Sequence, residues 1–339
     1  MKQCRIAMIG FGNVGAGIIG ILKEQEEYYQ KVFNLQFKVV AINTKSRGSA
    51  YDPSGLSLDE LLEAGSGSLN NIPALENGWS VDKVIEEGEY DALVEISYTN
   101  LETGLPAVDY VRKALKRGKH VVTANKGPIA LFYSELVELA EENQACIGYE
   151  GTVMSGTPAV ALGEELLSGA VITGVQGILN GTTNFILTQM EKGYSYERAL
   201  AEAQAQGYAE ADPAGDVEGH DAAGKVVILA NILFGAKLSL EDVNCEGITG
   251  ITLQDTQDAV KENCCWKLIG NIEFDGEKVK ASVAPEKIPN SHPLASVFGA
   301  TNAITYTTKL LGEVTLIGAG AGGMETGYAL INDLLGIYR

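Results

Sequence analysis

Gly10-Phe11-Gly12-Asn13-Val14-Gly15 follows the apolar run Ile6 to Ile9 and leads straight into a second apolar stretch. Few backbones place three glycines at that spacing between a strand and a helix. The first permits a tight turn, the second lets another group approach the main chain, and the third lets helix and strand pack in contact. The string therefore predicts a strand–turn–helix unit of a parallel sheet, with a helix N-terminus suited to a pyrophosphate. An incidental glycine turn is the alternative.

At 339 residues the chain is long enough for two domains. Strands are expected over residues 5–9, 37–42, 91–97, 120–124 and 145–148, with helices over 13–32, 103–117 and 129–143 between them. That alternation predicts an α/β fold, a Rossmann-like doubly wound parallel sheet. After Glu150 the texture changes. Strands are expected at 174–179, 282–284 and 305–310, and helices at 182–191, 196–206, 219–234 and 253–269, the last carrying Cys264 and Cys265. The expected division is a dinucleotide-binding domain over 1–145 and a second, α+β catalytic and dimerisation domain over 146–315. Residues 316–339, which open with a glycine cluster and end in an apolar helix, are expected to return to the first.

Lys and Arg number 25 against 44 Asp and Glu, a net charge of −19. Such a surface repels phosphate backbones and anionic lipid, which argues against nucleic acid or membranes as partners. Helix N-termini and a few local cations can still hold an anionic cofactor. Five Cys and three His form no C-x-x-C pair, and suit reduced thiols in a cytoplasmic enzyme better than a zinc site. Residues 6–22 imitate a signal peptide, but five glycines and an asparagine interrupt them and no small-residue cleavage site follows. No other run of about 18 uninterrupted apolar residues occurs, so the expectation is a soluble chain.

Where a ribose-binding acid would close the second strand, the chain reads Asn43-Thr44-Lys45-Ser46-Arg47. Asn43, Lys45 and Arg47 offer an amide and two cations, which suit a 2′-phosphate and favour NADP over NAD. A solvated basic turn is the alternative. Ser97, Thr99 and Asn100 follow one strand and Lys126 the next, at the carboxyl edge where open sheets bind ligands. Lys126 could meet a carboxylate or phosphate there, or be an ordinary turn lysine.

The densest polar constellation runs from Gly207 to Lys225 and includes Glu210, Asp212, Asp216 and Asp221. Pro213 and Gly215 constrain the loop, and Asp216 is expected to cap the following helix. Asp221 and Lys225 lie four apart on that helix. On a surface they would form an ion pair worth about 0.3–0.5 kcal/mol. This helix, however, is apolar on its other faces, which predicts burial. A partly desolvated lysine beside a carboxylate can give or take a proton near neutral pH, because burial lowers its pKa while the acid opposes the shift. Asn180-Gly181-Thr182-Thr183-Asn184 reads as a turn with threonine caps. Gly318 to Gly323 reads as a tight turn or as backbone lying against the cofactor.

Taken together, the strings IGFGNVG, YTNLETG, GKHVVTANKGP, YEGTV, GILNGTTNFIL, GYAEADPAGDVEGHDAAGK, HPLA and IGAGAGGMET resemble the homoserine dehydrogenases. Their joint order and spacing carry the resemblance, which covers nearly the whole chain. It implies interconversion of L-homoserine and L-aspartate 4-semialdehyde with NADP or NAD, on the route to threonine and methionine. It implies Lys225 as general acid/base, with Asp221 as its neighbouring carboxylate. Glu210 is implied as a substrate-binding acid, with Asp216 grouped beside it, and Lys126 as a group near both cofactor and substrate. Gly322 is implied as a backbone contact to the cofactor. Glu150, Val153, Ser155 and Thr157 match a loop that holds a monovalent cation such as sodium, mostly through carbonyl oxygens. The resemblance further implies a homodimer or higher homo-oligomer, and a short form without a regulatory domain or threonine feedback through one. Two rivals stand beside it. A phosphorylating aldehyde dehydrogenase would need a nucleophile, for which Cys146 is the best placed but without an evident activating base. A dinucleotide-sensing protein would not need the Asp221–Lys225 pair.

Overall fold

The computed structural model describes every residue, Met1 to Arg339. The chain falls into two compact units, Met1–Gly156 with Ala321–Arg339, and Thr157–Gly320. In the first, β1 (Lys2–Ile9) leads through α1 (Asn13–Glu24) and α2 (Glu26–Phe33) to β2 (Leu35–Thr44). A hairpin turn joins β2 to β3 (Gly48–Tyr51), followed by α3 (Leu58–Ala64), β4 (Glu76–Asn77) and α4 (Val81–Glu87). Then come β5 (Ala92–Glu95), α5 (Ala107–Lys116), β6 (His120–Thr123), α6 (Lys126–Glu142) and β7 (Ile147–Gly148). The sheet runs β4-β3-β2-β1-β5-β6-β7. From β2 to β7 neighbouring strands are parallel, whereas β3 and β4 add antiparallel pairs at one edge. Strand order reverses at β1, and β1 and β5 flank the switch point at which such sheets bind ligands. All four residues of β5 are buried, as expected for a central parallel strand covered on both faces.

The second unit begins with α7 (Ala159–Ala161) and β8 (Ile172–Ile178). Four helices follow: α8 (Gly181–Glu191), α9 (Tyr196–Ala205), α10 (Ala214–Val217) and α11 (His220–Phe234). After β9 (Asn244–Cys245) and α12 (Leu253–Lys261), the chain forms β10 (Cys264–Phe274), β11 (Val279–Pro289), β12 (Thr301–Thr308) and β13 (Gly312–Ala319). The order is β13-β12-β8-β10-β11-β9, antiparallel except where β11 meets β9.

The chain then returns to the first unit as α13 (Gly323–Tyr338), which lies against α1. Glycines make that approach possible. A Cβ on Gly17 would sit 2.3 Å from the Gly323 carbonyl oxygen, and one on Gly327 would sit 2.9 Å from the Ile18 nitrogen. Leu330 and Leu334 of α13 thereby join Ile6, Met8, Ile18, Leu22, Ile42 and Val94 in one core.

Several expectations need correction. The helix expected over 13–32 is two, because the backbone leaves helical geometry at Gln25. The helix expected over 253–269 ends at Lys261, and left-handed Asn263 turns the chain into β10. Cys264 and Cys265 therefore lie on a strand, where alternate residues face opposite sides. The unit boundaries fall at 156/157 and 320/321 rather than at 145/146 and 315/316. At the second boundary, Ile317 and the first glycines of the cluster still pair along β13, with Ala319 opposite Thr301.

Candidate functional site

The glycine turn of the first unit is shaped for an anion. Gly10 has φ +103, and a Cβ there would come within 2.4 Å of the Ile96 carbonyl oxygen, so only glycine fits. The space over Gly12 is open, with nothing within 4 Å of an ideal Cβ. No side chain caps α1, and its first turn carries no acid. The backbone N–H groups of that turn and the positive end of the helix are thus free to meet a phosphate. These residues fit a dinucleotide.

Around that turn, Asn43 is buried at the end of β2. Its backbone carbonyl accepts the Gly10 N–H at 2.8 Å, and its side-chain amide donates to the Trp79 carbonyl at 2.6 Å. Lys45 is exposed at the hairpin tip. Arg47 lies with its guanidinium 5.1 Å from the Phe11 ring centroid and donates to the carbonyls of Phe11 and Gly65. Ser97, Thr99 and Asn100 follow β5, and Lys126 opens α6 behind its cap Asn125. The Asn100 side chain is occupied by its own turn, accepting from the Glu102 and Thr103 N–H groups at 2.9 and 3.0 Å. Its backbone packs on α6, since a Cβ on Gly127 would meet the Asn100 carbonyl oxygen at 2.4 Å. Gly322 caps α13 at φ 144, and a Cβ there would strike the Glu325 carboxylate at 2.0 Å.

In the second unit, helix α11 is buried from Ala222 to Asn231. Lys225 is 6% exposed, and its Nζ lies 2.8 Å from Asp221 Oδ2 and donates to the Leu179 carbonyl at 2.6 Å. Asn180 completes the arrangement. Its Nδ2 donates to Asp216 Oδ1 at 2.7 Å and to Asp221 Oδ2 at 3.0 Å, while its Oδ1 accepts the Thr183 N–H at 2.9 Å and caps α8. Two carboxylates, an amide and an ammonium are therefore joined in one network, with the lysine amine at its buried end. Burial, aided by repulsion from Asp221, holds the Asp216 carboxyl above its ordinary value against the pull of the Asn180 hydrogen bond. Such a network can hold an amino-acid zwitterion and exchange a proton with it.

Asp216 is not the cap expected from the sequence. It lies inside the short helix α10, and α11 begins after left-handed Gly219 without a side-chain cap. Asn180, read as part of a turn with threonine caps, is itself the cap and the bridge between acids. An Asn three residues before a threonine at a helix start was the available signal. Glu210 stands on the exposed loop before α10, its backbone carbonyl accepting from Gln204 at 3.0 Å.

In the candidate cation loop, Glu150, Val153 and Ser155 are buried. Ser155 turns the chain with φ 54, and its hydroxyl is hydrogen-bonded to that of Thr326 at 2.8 Å. Thr157 donates its hydroxyl to the Ala319 carbonyl at 2.9 Å.

Two family models match the chain: the NAD-binding domain of homoserine dehydrogenase over residues 10–150, and homoserine dehydrogenase over 158–335. An NAD(+)-dependent homoserine dehydrogenase of Pseudomonas canavaninivorans is 44% identical over 346 residues, covering 100% of this chain and 97% of its own. Among solved structures, a candidate homoserine dehydrogenase of Archaeoglobus fulgidus superposes with a TM-score of 0.89 at 40% identity, covering 99% of each chain. A hyperthermophilic archaeal homoserine dehydrogenase mutant in complex with NADPH gives a TM-score of 0.84 at 33% identity, over 98% of this chain and 97% of that one.

Proposed function

The chain belongs to the homoserine dehydrogenase family and interconverts L-homoserine and L-aspartate 4-semialdehyde with a nicotinamide dinucleotide, in amino-acid biosynthesis; on that premise we propose how its own residues divide the work. A bound NAD(P) supplies the hydride acceptor or donor. Lys225 exchanges the proton at the substrate oxygen: as the neutral amine it takes the proton from the homoserine hydroxyl in oxidation, becoming the ammonium, and as the ammonium it returns the proton to the aldehyde oxygen in reduction. Asp221 holds the ammonium form and, with the Leu179 carbonyl, fixes the direction of the amine. Asn180 keeps the Asp216 and Asp221 carboxylates side by side, and with Glu210 they favour a substrate ammonium group.

The observation that carries this reading is the buried Lys225 amine, held between one carboxylate and one backbone carbonyl. It is tested by NAD(P)H formation from a panel of four-carbon amino acids. Homoserine should be the substrate turned over. Dinucleotide binding without turnover of homoserine would reject the assignment of Lys225.

For the cofactor side we propose Gly10, Phe11, Gly12, Asn13, Val14, Gly15, Ser97, Thr99, Asn100, Lys126 and Gly322, with NADP favoured through Arg47 and Lys45. NAD is the second reading, supported by the use of Arg47 donors on two backbone carbonyls and by the NAD(+)-dependent relative. A monovalent cation, where present, would be bound by carbonyls of the loop 150–157.

No helix is long and apolar enough to cross a membrane. A cytoplasmic location and small-molecule rather than nucleic-acid partners are part of the proposal, and the net charge of −19 supports the latter. So is self-association. Leu166, Val171, Leu310 and Leu311 are all exposed, and Leu310 lies near Val171 because the Lys309 and Leu310 N–H groups donate to the Val171 and Ala170 carbonyls. Exposed apolar side chains of this kind suit a second copy of the chain. Light scattering on the purified protein would give a dimer mass or larger; a monomer mass would reject it.

A further inference from the structure

One buried charge in the first unit has no part in the chemistry above. Glu95 closes β5 at 0% exposure, at the carboxyl edge of the parallel sheet. One carboxylate oxygen accepts the Ser97 N–H at 2.9 Å and the Ser97 hydroxyl. The Thr123 hydroxyl reaches the other at 3.2 Å, and also the Glu95 backbone carbonyl at 2.9 Å. Thr123 in turn accepts the Asn125 N–H at 3.0 Å. The Asn125 amide donates to the Ser97 and Tyr98 carbonyls at 3.3 and 3.2 Å, and its oxygen accepts the Gly127 N–H at 3.2 Å. One carboxylate thus ties the loop 97–100 to the turn that delivers Lys126.

Burying a carboxylate is expensive unless it is well supplied with donors. Burial pushes the Glu95 carboxyl up, and the donors that oppose this belong to the neutral residues Ser97, Thr123 and Asn125. A smaller apolar residue would fill the strand end at less cost. A carboxylate differs from glutamine in being acceptor-only, which suits the two Ser97 donors and the Thr123 hydroxyl that it shares with the Glu95 backbone carbonyl.

We propose that Glu95 is a positioning residue for the dinucleotide, presetting Ser97, Thr99, Asn100 and Lys126 before the cofactor arrives; this rests on the cofactor reading of those four residues. Pre-organisation of that kind shows in affinity, because the ordering of the loops is no longer charged to binding. In Glu95→Gln one acceptor becomes a donor and faces Ser97 or Thr123.

The test is the affinity of the whole chain for NADH and NADPH, read from cofactor fluorescence without substrate, in Glu95→Gln, Thr123→Val and Lys126→Ala. Glu95→Gln should weaken binding by about tenfold, with kcat at saturating cofactor within about threefold of the parent. A lowered melting temperature with unchanged affinity would make Glu95 merely structural and overturn the proposal. Should Glu95→Gln not fold, Thr123→Val removes one tie only and should weaken binding about threefold; unchanged affinity there overturns the proposal equally. Unchanged affinity in Glu95→Gln beside weakened binding in Lys126→Ala rejects the positioning role and leaves the cofactor reading standing. Unchanged affinity in all three rejects both.

Discussion

Asp221 and Lys225 lie one turn apart on a buried helix, carboxylate and ammonium 2.8 Å from each other. The two partners are not equivalent. Lys225 is 6% exposed, whereas the Asp221 side chain retains 22% exposure and a second donor in Asn180. Removing Asp221 strands a buried charge, whereas Lys225→Met replaces that charge with a side chain of similar shape. Asp221→Ala should therefore lower the melting temperature of the second unit more than Lys225→Met does, at about 2–4 °C per kcal/mol for a unit this size. The reverse order in thermal unfolding would contradict the burial argument.

Asn180 combines a cap and a bridge, and two substitutions separate them. Asn180→Ala loses both, with about 1 kcal/mol attributable to the cap. Asn180→Ser keeps a capping oxygen but has no amide to hold Asp216 beside Asp221. Serine should thus recover most of the lost stability while leaving kcat/KM for homoserine reduced by about tenfold, as in the alanine variant. Restored kcat/KM in the serine variant would show that capping alone accounts for the residue.

What could be read from the sequence, and what could not, follows from distance along the chain. The glycine turn at Gly10 and the Asp221–Lys225 spacing are local, so residue type and helical period suffice to find them. Asn180 meets acids 36 and 41 residues away, and nothing near it in the chain announces them. Glu95 reads as one residue inside the strand expected over 91–97 until the fold brings Thr123 to it. Lys45 to Arg47 form the turn of the β2–β3 hairpin, and β3 behind them is too short and carries too little apolar signal to be read as a strand. The strand from Cys264 was masked by the helical pattern of α12 just before it, and only the left-handed turn at Asn263 separates them.

Asp216 gives a stability term with a definite sign. Burial first, and then Asp221, raise its folded pKa above the ordinary 3.8, so ionisation disfavours the folded state. Below 3.8 the group is protonated in both states and the penalty is absent. It grows as the pH rises from there through the raised folded pKa, and is constant above. Asp216→Asn removes it. The melting temperature of the variant relative to the parent should therefore rise through the carboxylate range and then level off. A relative melting temperature that falls over the same pH range would mean the Asp216 pKa is lowered.

Arg47 decides between the two cofactor readings. If its guanidinium also meets a 2′-phosphate, Arg47→Ala should cut the NADP-to-NAD ratio of kcat/KM by about tenfold or more, as loss of a charge-assisted hydrogen bond implies. An unchanged ratio would assign Arg47 to the Phe11 and Gly65 carbonyls alone, and the chain to NAD.

The central claim is that the Lys225 amine moves the proton. Measured side by side, kcat for homoserine oxidation and the dinucleotide dissociation constant of Lys225→Ala test it most directly. The account predicts a loss of kcat of about 10²–10⁴-fold with the dissociation constant nearly unchanged. A kcat within a few-fold of the parent in a folded variant would contradict it.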